Sequence, residues 1–313
     1  MSITVLRPGL QTTIQSRPRT GLRHFGVPSS GAADPLSLAL ANRLVANAWH
    51  APALEAALLG PTLRFDVPCA FAITGATAMS TLNGDAVGMH ETVFAEAGDV
   101  LAIGAAETGA RSYLAVAGGL AAEAILGSVS TYLPAALGGY RGRAVEEGDR
   151  LGIVQAGAKR LSTPAEFRVP MTSSWAVRAC ASFEFDVLDK AGRDRLFDSK
   201  WTIGRRADRM GLRLEGQVLD VASDGRMPSA AVFPGTVQCP ESGLPFVLAV
   251  DAGTVGGYPR VAQVTRADCH LLGQLRPGSR LRLLLRDPES AGVELRAKHD
   301  YWREWLRDID EII

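Results

Sequence analysis

Four fragments of this sequence return in the same order, and that repetition constrains the fold more than any single motif. Leu114-Ala115-Val116-Ala117-Gly118 comes back as Leu248-Ala249-Val250-Asp251-Ala252-Gly253, 134 positions later, and Glu147-Gly148-Asp149-Arg150-Leu151 as Pro277-Gly278-Ser279-Arg280-Leu281, 130 positions later. Ala33-Asp34 has a counterpart in Ala207-Asp208, and Gly60-Pro61-Thr62-Leu63 in Gly216-Gln217-Val218-Leu219. Single turn-then-strand fragments recur by chance, whereas four in one order indicate duplication. The shrinking offset predicts an extra helix over 36–48 in the first half only. Low apolar density over 157–172, with Pro164 and Pro170, sets the boundary, giving halves 1–165 and 166–313. A chain of 313 residues exceeds what one core usually serves, so two domains fit its length.

Within each half the grammar is that of strands and turns. Short apolar runs at 69–74, 112–117, 246–250 and 280–285 are bounded by Gly, Pro, Asp and Ser. Two helices interrupt this pattern. Asp34 is an N-cap followed by Pro35 at the first helical position, where a missing N–H costs nothing, and Leu36, Leu40 and Leu44 follow at a spacing of four. The second helix is expected from about Asp300 to Ile312, with Trp302, Trp305, Leu306, Ile309 and Ile313 on one face. That face packs on its own domain or docks a partner.

Several chemistries are excluded. Lys and Arg together number 33, as do Asp and Glu, so no global field favours nucleic acid or an anionic membrane. The four lysines (159, 190, 200, 298) never follow a glycine, so there is no phosphate-binding loop of the Gly-Lys-Ser/Thr kind. For the same reason the isolated chain is expected to show no ATPase activity. No lysine lies between methionines, so the chain does not itself carry biotin. There is no Gly-x-Ser-x-Gly elbow. Four scattered cysteines and isolated histidines predict neither a disulfide framework nor a metal site. The N-terminus has no signal-peptide pattern and no apolar stretch is long enough to span a bilayer, so the cytoplasm is the expected location.

The polar segments remain as candidate sites. Gln15 and Arg19 precede Ser30-Gly31-Ala32-Ala33-Asp34, a turn running into a capped helix whose N–H groups suit a carboxyl group or anion. A plain helix cap would use the same residues. Gly118-Gly119, Ser130 and Arg141 offer close backbone approach and donors, although tight turns also produce such glycines. Asp208-Arg209 duplicates the Asp34 region. Gln238 precedes the most site-like cluster, in which Asp251 ends a strand ahead of Gly256, Gly257, Tyr258 and Arg260.

At these segments the sequence resembles the family of 5-oxoprolinase C subunits, also labelled KipA-like or allophanate hydrolase subunit 2, which includes biotin-dependent carboxyltransferase domains. The resemblance runs through Gly9-Leu10-Gln11-Thr12-Thr13-Ile14-Gln15, Ser30–Asp34, Ala41–Val45 and Ser112–Gly119. It continues through Gly127–Tyr132, Gly138–Arg143, Asp208-Arg209-Met210-Gly211 and Gly256-Gly257-Tyr258-Pro259. It implies a mainly β chain of two cyclophilin-like barrels with a few helices. It also implies two partner proteins, one KipI-like and one LamB/YcsF-like. The implied reaction is ATP-dependent opening of 5-oxoproline to glutamate, with ATP handled at the level of the complex and this chain inactive alone. Asp34, Arg209, Asp251 and Tyr258 are the expected catalytic residues, converging on one cleft, with Ser30–Ala33 presenting backbone donors and Arg209 binding a carboxylate.

The chain departs from the family pattern at Ser16-Arg17-Pro18-Arg19, where Asp and a Gly-Arg pair are usual, and at Ala252 and Gly253, which replace an arginine and a glutamine. These losses leave a divergent substrate or a reduced catalytic role open. Two other functions stay in play: the carboxyltransferase component of a urea or amide carboxylase, with biotin on a separate chain, and a non-enzymatic antagonist of a kinase-inhibitor protein.

Overall fold

The apolar runs become strands, and the strands divide between two sheets. A computed structural model describes residues 1–154, 156–223 and 225–313. Its two compact units are not contiguous halves. The first comprises Met1–Arg19, Ser30–Met171 and Trp302–Ile312, and the second comprises Thr20–Ser29, Thr172–Tyr301 and Ile313.

The first unit contains β1 (Ser2–Arg7), β2 (Gln11–Gln15), β3 (Ala53–Ala57), β4 (Thr62–Phe65), β5 (Cys69–Leu82), β6 (Asp85–Val87), β7 (Val93–Ala95), β8 (Val100–Val116) and β9 (Arg150–Gly152). They form one nine-stranded sheet in the order β2-β3-β8-β4-β1-β9, with β5 also on β8 and the short β6 and β7 on β5. Alternation explains the core: Ile3 and Val5 of β1 point inward while their neighbours are partly exposed, and they meet Leu63, Phe65 and Phe71. Each such side chain contributes about 1.5–3 kcal/mol by burial. Helix α1 (Pro35–Leu44) packs on β5 and β8. It stops at Leu44 rather than at 48, because Asn47 turns back, its N–H donating to Asn42 O and its side-chain amide to Asn42 Oδ1 and Val116 O.

The second unit holds β10 (Ser174–Ala181), α2 (Lys190–Asp198), β11 (Trp201–Ala207), β12 (Gly211–Glu215), β13 (Ala230–Ala231), β14 (Thr236–Gln238), β15 (Phe246–Leu248), β16 (Val255–Gly256), β17 (Arg260–Val264) and β18 (Arg280–Leu285). Seven of these close a barrel in the order β10-β17-β14-β15-β12-β11-β18, and β13 pairs with β16 separately.

The duplication is visible in the pairing. In the first unit β1 and β2 act as one bent strand, as do β3 and β4, giving the series β9, β1/β2, β3/β4, β8, β5. The second unit has the same neighbours in the series β18, β11, β12, β15, β14. Leu114 on β8 and Leu248 on β15 thus occupy equivalent strands. Val5 N donates to Asp149 O and Gly148 N to Val5 O, while Ile203 N donates to Ser279 O and Gly278 N to Ile203 O, all at 2.8 Å. After Asp208 the chain enters β12 directly, where after Asp34 it forms α1. The second unit nevertheless has its own helix, α2, capped by Asp189 ahead of β11, so a helix is not confined to the first half.

The C-terminal helix differs most from the sequence expectation. Helix α3 spans Pro288–Arg303, and after a turn a short α4 spans Ile309–Ile312. The apolar face is buried as expected at Trp302, Leu306 and Ile309, but Trp302–Ile312 belongs to the first unit. Phe167 stacks on Trp305 and tilts against Trp302. The overlooked start signal is Asp287-Pro288-Glu289-Ser290, which repeats Asp34-Pro35-Leu36-Ser37. In both, the serine N–H and Oγ donate to the capping aspartate. No helix among the described residues is long and apolar enough to cross a membrane.

Candidate functional site

In the first unit the segment after β2 is bound to the glycine-rich stretch 127–143. Gln15 Nε2 donates to Thr131 O (3.1 Å) and to Thr13 Oγ1, and Ser16 N donates to Ser130 Oγ. Arg19 Nε donates to Ile125 O and its NH2 to Ser130 O. A Cβ at Gly138 would lie 2.6 Å from that guanidinium, and one at Gly139 would lie 1.9 Å from Thr131 Oγ1, so the glycine pair exists for this approach. Gln15, Arg19 and Ser130 are thus brought together, all buried. Ser30, in a left-handed conformation at φ 51°, buries its Oγ without a partner, as Gln15 does its Oε1.

The neighbouring Ser30–Asp34 turn is less available than expected. Ala32 N donates to Ser16 O, Ala33 N to Glu55 Oε2 and Asp34 N to Tyr113 OH. Tyr113 OH in turn donates to Glu55 Oε2 (2.7 Å), and Arg111 pairs with the other Glu55 oxygen. Burial first, and then the Glu55 and Asp34 carboxylates, raise the Tyr113 phenol well above its ordinary value. Asp34 itself is fully buried and caps α1 through Ser37. These N–H groups support the helix entry rather than an external anion. Gly118-Gly119 also serves packing: a Cβ at Gly118 would stand 1.6 Å from Val154 O. Arg141 is exposed and lies over the Tyr140 ring at 5.3 Å.

In the second unit Arg209 and Asp251 form a bidentate pair, Nε to Oδ2 at 2.7 Å and NH2 to Oδ1 at 2.9 Å. They are only 5% and 2% exposed. Arg209, expected to bind a carboxylate of the substrate, has its fork filled by Asp251 instead. Asp208 Oδ1 accepts from Met210 N and Gly211 N, a turn cap ahead of β12.

A different surface of this unit carries open chemistry. Arg213 on β12 lies between the buried Leu212 and Leu214, so it points out of the barrel. It stands directly opposite Phe246 of β15, which stands opposite Gln238 of β14, which stands opposite Arg260 of β17. Arg213, Phe246 and Gln238 of this row floor a cavity of about 410 Å³ that Tyr258 and Arg206 also line. Gln238 Nε2 donates to Tyr258 O (3.0 Å), and a Cβ at Gly256 would lie 2.6 Å from that amide nitrogen. Gln238, Gly256 and Tyr258 are therefore gathered, while a Cβ at Gly257 would make only ordinary contacts, 3.5 Å from Met227 O and 3.7 Å from Ser229 Oγ. Tyr258 is 50% exposed. Sequence reasoning missed Arg206, Arg213 and Phe246; the Leu212-Arg213-Leu214 alternation was the available signal.

Known proteins share this architecture. A family model described as "Carboxyltransferase domain, subdomain A and B" matches residues 25–285. The chain belongs to this family. It is 37% identical over 301 residues to the 5-oxoprolinase C subunit of Escherichia coli, covering 96% of each chain. Against the 5-oxoprolinase C subunit of Haemophilus influenzae the identity is 35% over 308 residues, covering 98% of each. The crystal structure of the Kluyveromyces lactis urea amidolyase superposes with a TM-score of 0.89 at 28% identity, over 96% of this chain and 20% of that one.

Within this carboxyltransferase-domain chain, the departure at Ala252 and Gly253 has a structural counterpart. Ala252 packs with Val232 and Leu248 in a small apolar cluster. A guanidinium does reach the turn, from another part of the sequence. Arg23 NH2 donates to Gly253 O (3.2 Å) and to Val232 O, and its guanidinium lies over the Phe233 ring at 5.2 Å. Burial lowers its pKa from the ordinary arginine value.

Proposed function

We propose that this chain is the C subunit of an ATP-dependent 5-oxoprolinase, acting with one KipI-like and one LamB/YcsF-like partner protein. The observation that carries this reading is its likeness to two bacterial 5-oxoprolinase C subunits along nearly the full length of both partners. In the reaction the lactam C–N bond breaks, a water oxygen ends on the new side-chain carboxylate, and the ring nitrogen becomes the amine of glutamate.

A phosphate-binding loop of the Gly-Lys-Ser/Thr kind needs a lysine directly after a glycine. Lys190 is paired with Asp194 and Lys298 with Ala267 O, and no lysine follows a glycine. ATP is therefore assigned to the complex, and no step on this chain runs through it. What this chain supplies is binding and orientation: the outer-face cavity, with the Gln238 amide, the Tyr258 hydroxyl and an apolar wall, suits a small amide-bearing molecule. A donor that approaches the lactam oxygen stabilises negative charge as the carbonyl is attacked. Tyr258 is one group in this cavity that can serve as such a donor.

A second reading, the carboxyltransferase component of a urea or amide carboxylase with biotin on another chain, is supported by the structural likeness to urea amidolyase. Co-purification of the chain with its partners, followed by an assay of glutamate formation from 5-oxoproline and ATP, tests the two. Glutamate formed only by the assembled complex supports the first. Carboxylation of urea, with no lactam opening, would replace it with the second.

A further inference from the structure

The cross-strand row ends in two arginines with different commitments. Arg260 is held by Glu184, its Nε donating to Oε2 at 2.8 Å and its NH2 to Oε1 at 2.6 Å, and its NH1 donates to Ala231 O. The side chain of Arg213, at the other end, has no hydrogen-bond or ion-pair partner among the described residues, and neither does that of Arg206 on β11. Both line the same cavity. Among the described residues no aspartate or glutamate lines it, so two uncompensated positive charges meet a wall of Phe246, Leu244 and Pro240. A cation is disfavoured there. An anion gains charge-assisted bonds to guanidinium forks, which fit a planar carboxylate. At about 410 Å³ the space falls within the range of small-molecule sites. Gln238 and Tyr258 add an amide and a hydroxyl on the side away from Arg213 along the row.

We propose that Arg206 and Arg213 form the carboxylate-binding end of a site for a cyclic amide acid. The ring lies against Phe246 and Leu244, and the amide faces Gln238 and Tyr258. Naming the ligand as a lactam acid rests on the 5-oxoprolinase reading; the anion end rests on the cavity alone. A free cyclic urea bearing a carboxylate presents the same two chemistries, so biotin is the second probe.

The test is calorimetric titration of the full chain with 5-oxoproline, 2-pyrrolidinone, biotin and ATP. The expected result is that 5-oxoproline binds at least roughly tenfold more tightly than 2-pyrrolidinone, which lacks the carboxylate, the loss of one charge-assisted contact. Arg206→Ala and Arg213→Ala should each weaken 5-oxoproline by roughly tenfold and leave 2-pyrrolidinone unchanged, a selectivity that general damage to the fold would not produce. Arg213→Lys should recover part of the loss. Arginine-dependent binding of biotin without 5-oxoproline would keep the anion end and overturn the oxoprolinase reading. The proposal itself fails if neither acid shows arginine-dependent binding, or if only ATP does.

Discussion

The two units share five strand positions and finish them differently. In the second, β10 and β17 bridge the outer members of the series, β18 and β14, and close the barrel, with β10 running parallel to β18. In the first, β9 pairs only with β1, and β5 takes the short β6 and β7 instead. Helix α1 covers β5 and β8 there. Duplication therefore preserved which strands are neighbours and left closure to the segments outside the repeat. The same divergence marks the buried carboxylates: Glu55 of the first unit is shared among backbone, phenol and the Arg111 guanidinium, while both oxygens of Asp251 in the second accept from Arg209.

The largest effect should come from breaking the second of these. Arg209→Ala leaves Asp251 buried without its counter-charge and should cost about 3–5 kcal/mol in urea unfolding. A combined Arg209→Met and Asp251→Leu variant should lose much less, because no charge is left unpaired. A small loss for Arg209→Ala would show that the pair does not hold the barrel and would reopen a ligand-binding role. The corresponding change in the first unit is Tyr113→Phe, which takes the acceptor from Asp34 N–H and one of two donors from Glu55 Oε2, which keeps Ala33 N–H. It should cost about 1–3 kcal/mol, with faster amide exchange at Asp34 as the local readout.

Asp34→Ala and Asp287→Ala remove matching helix caps from the two units. Each should cost about 0.5–2 kcal/mol, and a large inequality would mean that the shared Asp-Pro-x-Ser signature does different work in the two places. The smallest effect is invisible at neutral pH. Burial first, and then Arg168, push the His90 imidazole down to about 4 from its usual 6.5. The folded state thus holds it neutral while the unfolded chain protonates it. Its stabilising contribution is complete above pH 6.5 and is lost progressively as pH falls from 6.5 towards 4. His90→Gln should flatten that part of the stability profile and leave pH 7.5 unchanged. His270 of the second unit, pushed well below its usual value by burial and then by Lys298 and Arg178, should give acid sensitivity of the same sign.

Much of the fold was legible because it was written in local patterns: apolar runs for the strands, Asp34-Pro35 for α1, and ordered echoes for the duplication. The terminal helix was misread because apolar spacing from Trp302 to Ile313 passes smoothly across a turn, whereas the true start signal, Asp287-Pro288, lay upstream of the aromatic face. Of the proposed cavity, Gln238 and Tyr258 were singled out in the sequence, beside a glycine-rich turn. Arg213 and Phe246 were not, because they belong to ordinary alternating strands. Their significance comes from register, which sets them opposite each other across β12 and β15. Arg209 looked like a donor because the sequence does not show that Asp251, 42 positions away, fills its fork.

The partition of the chain between units also bears on how it is synthesised. Thr20–Ser29 belongs to the second unit although its flanks belong to the first, and Trp302–Ile312 returns to the first after the whole barrel. The nascent sheet of the first unit therefore emerges without the tryptophans that cover Phe167, and keeps that aromatic patch open until translation has passed the second unit. Such late, long-range completion slows folding and lengthens exposure to misassembly. A fragment cut at residue 171 would carry the same uncovered patch permanently, making it a poor surrogate for the first unit and a natural substrate for chaperones.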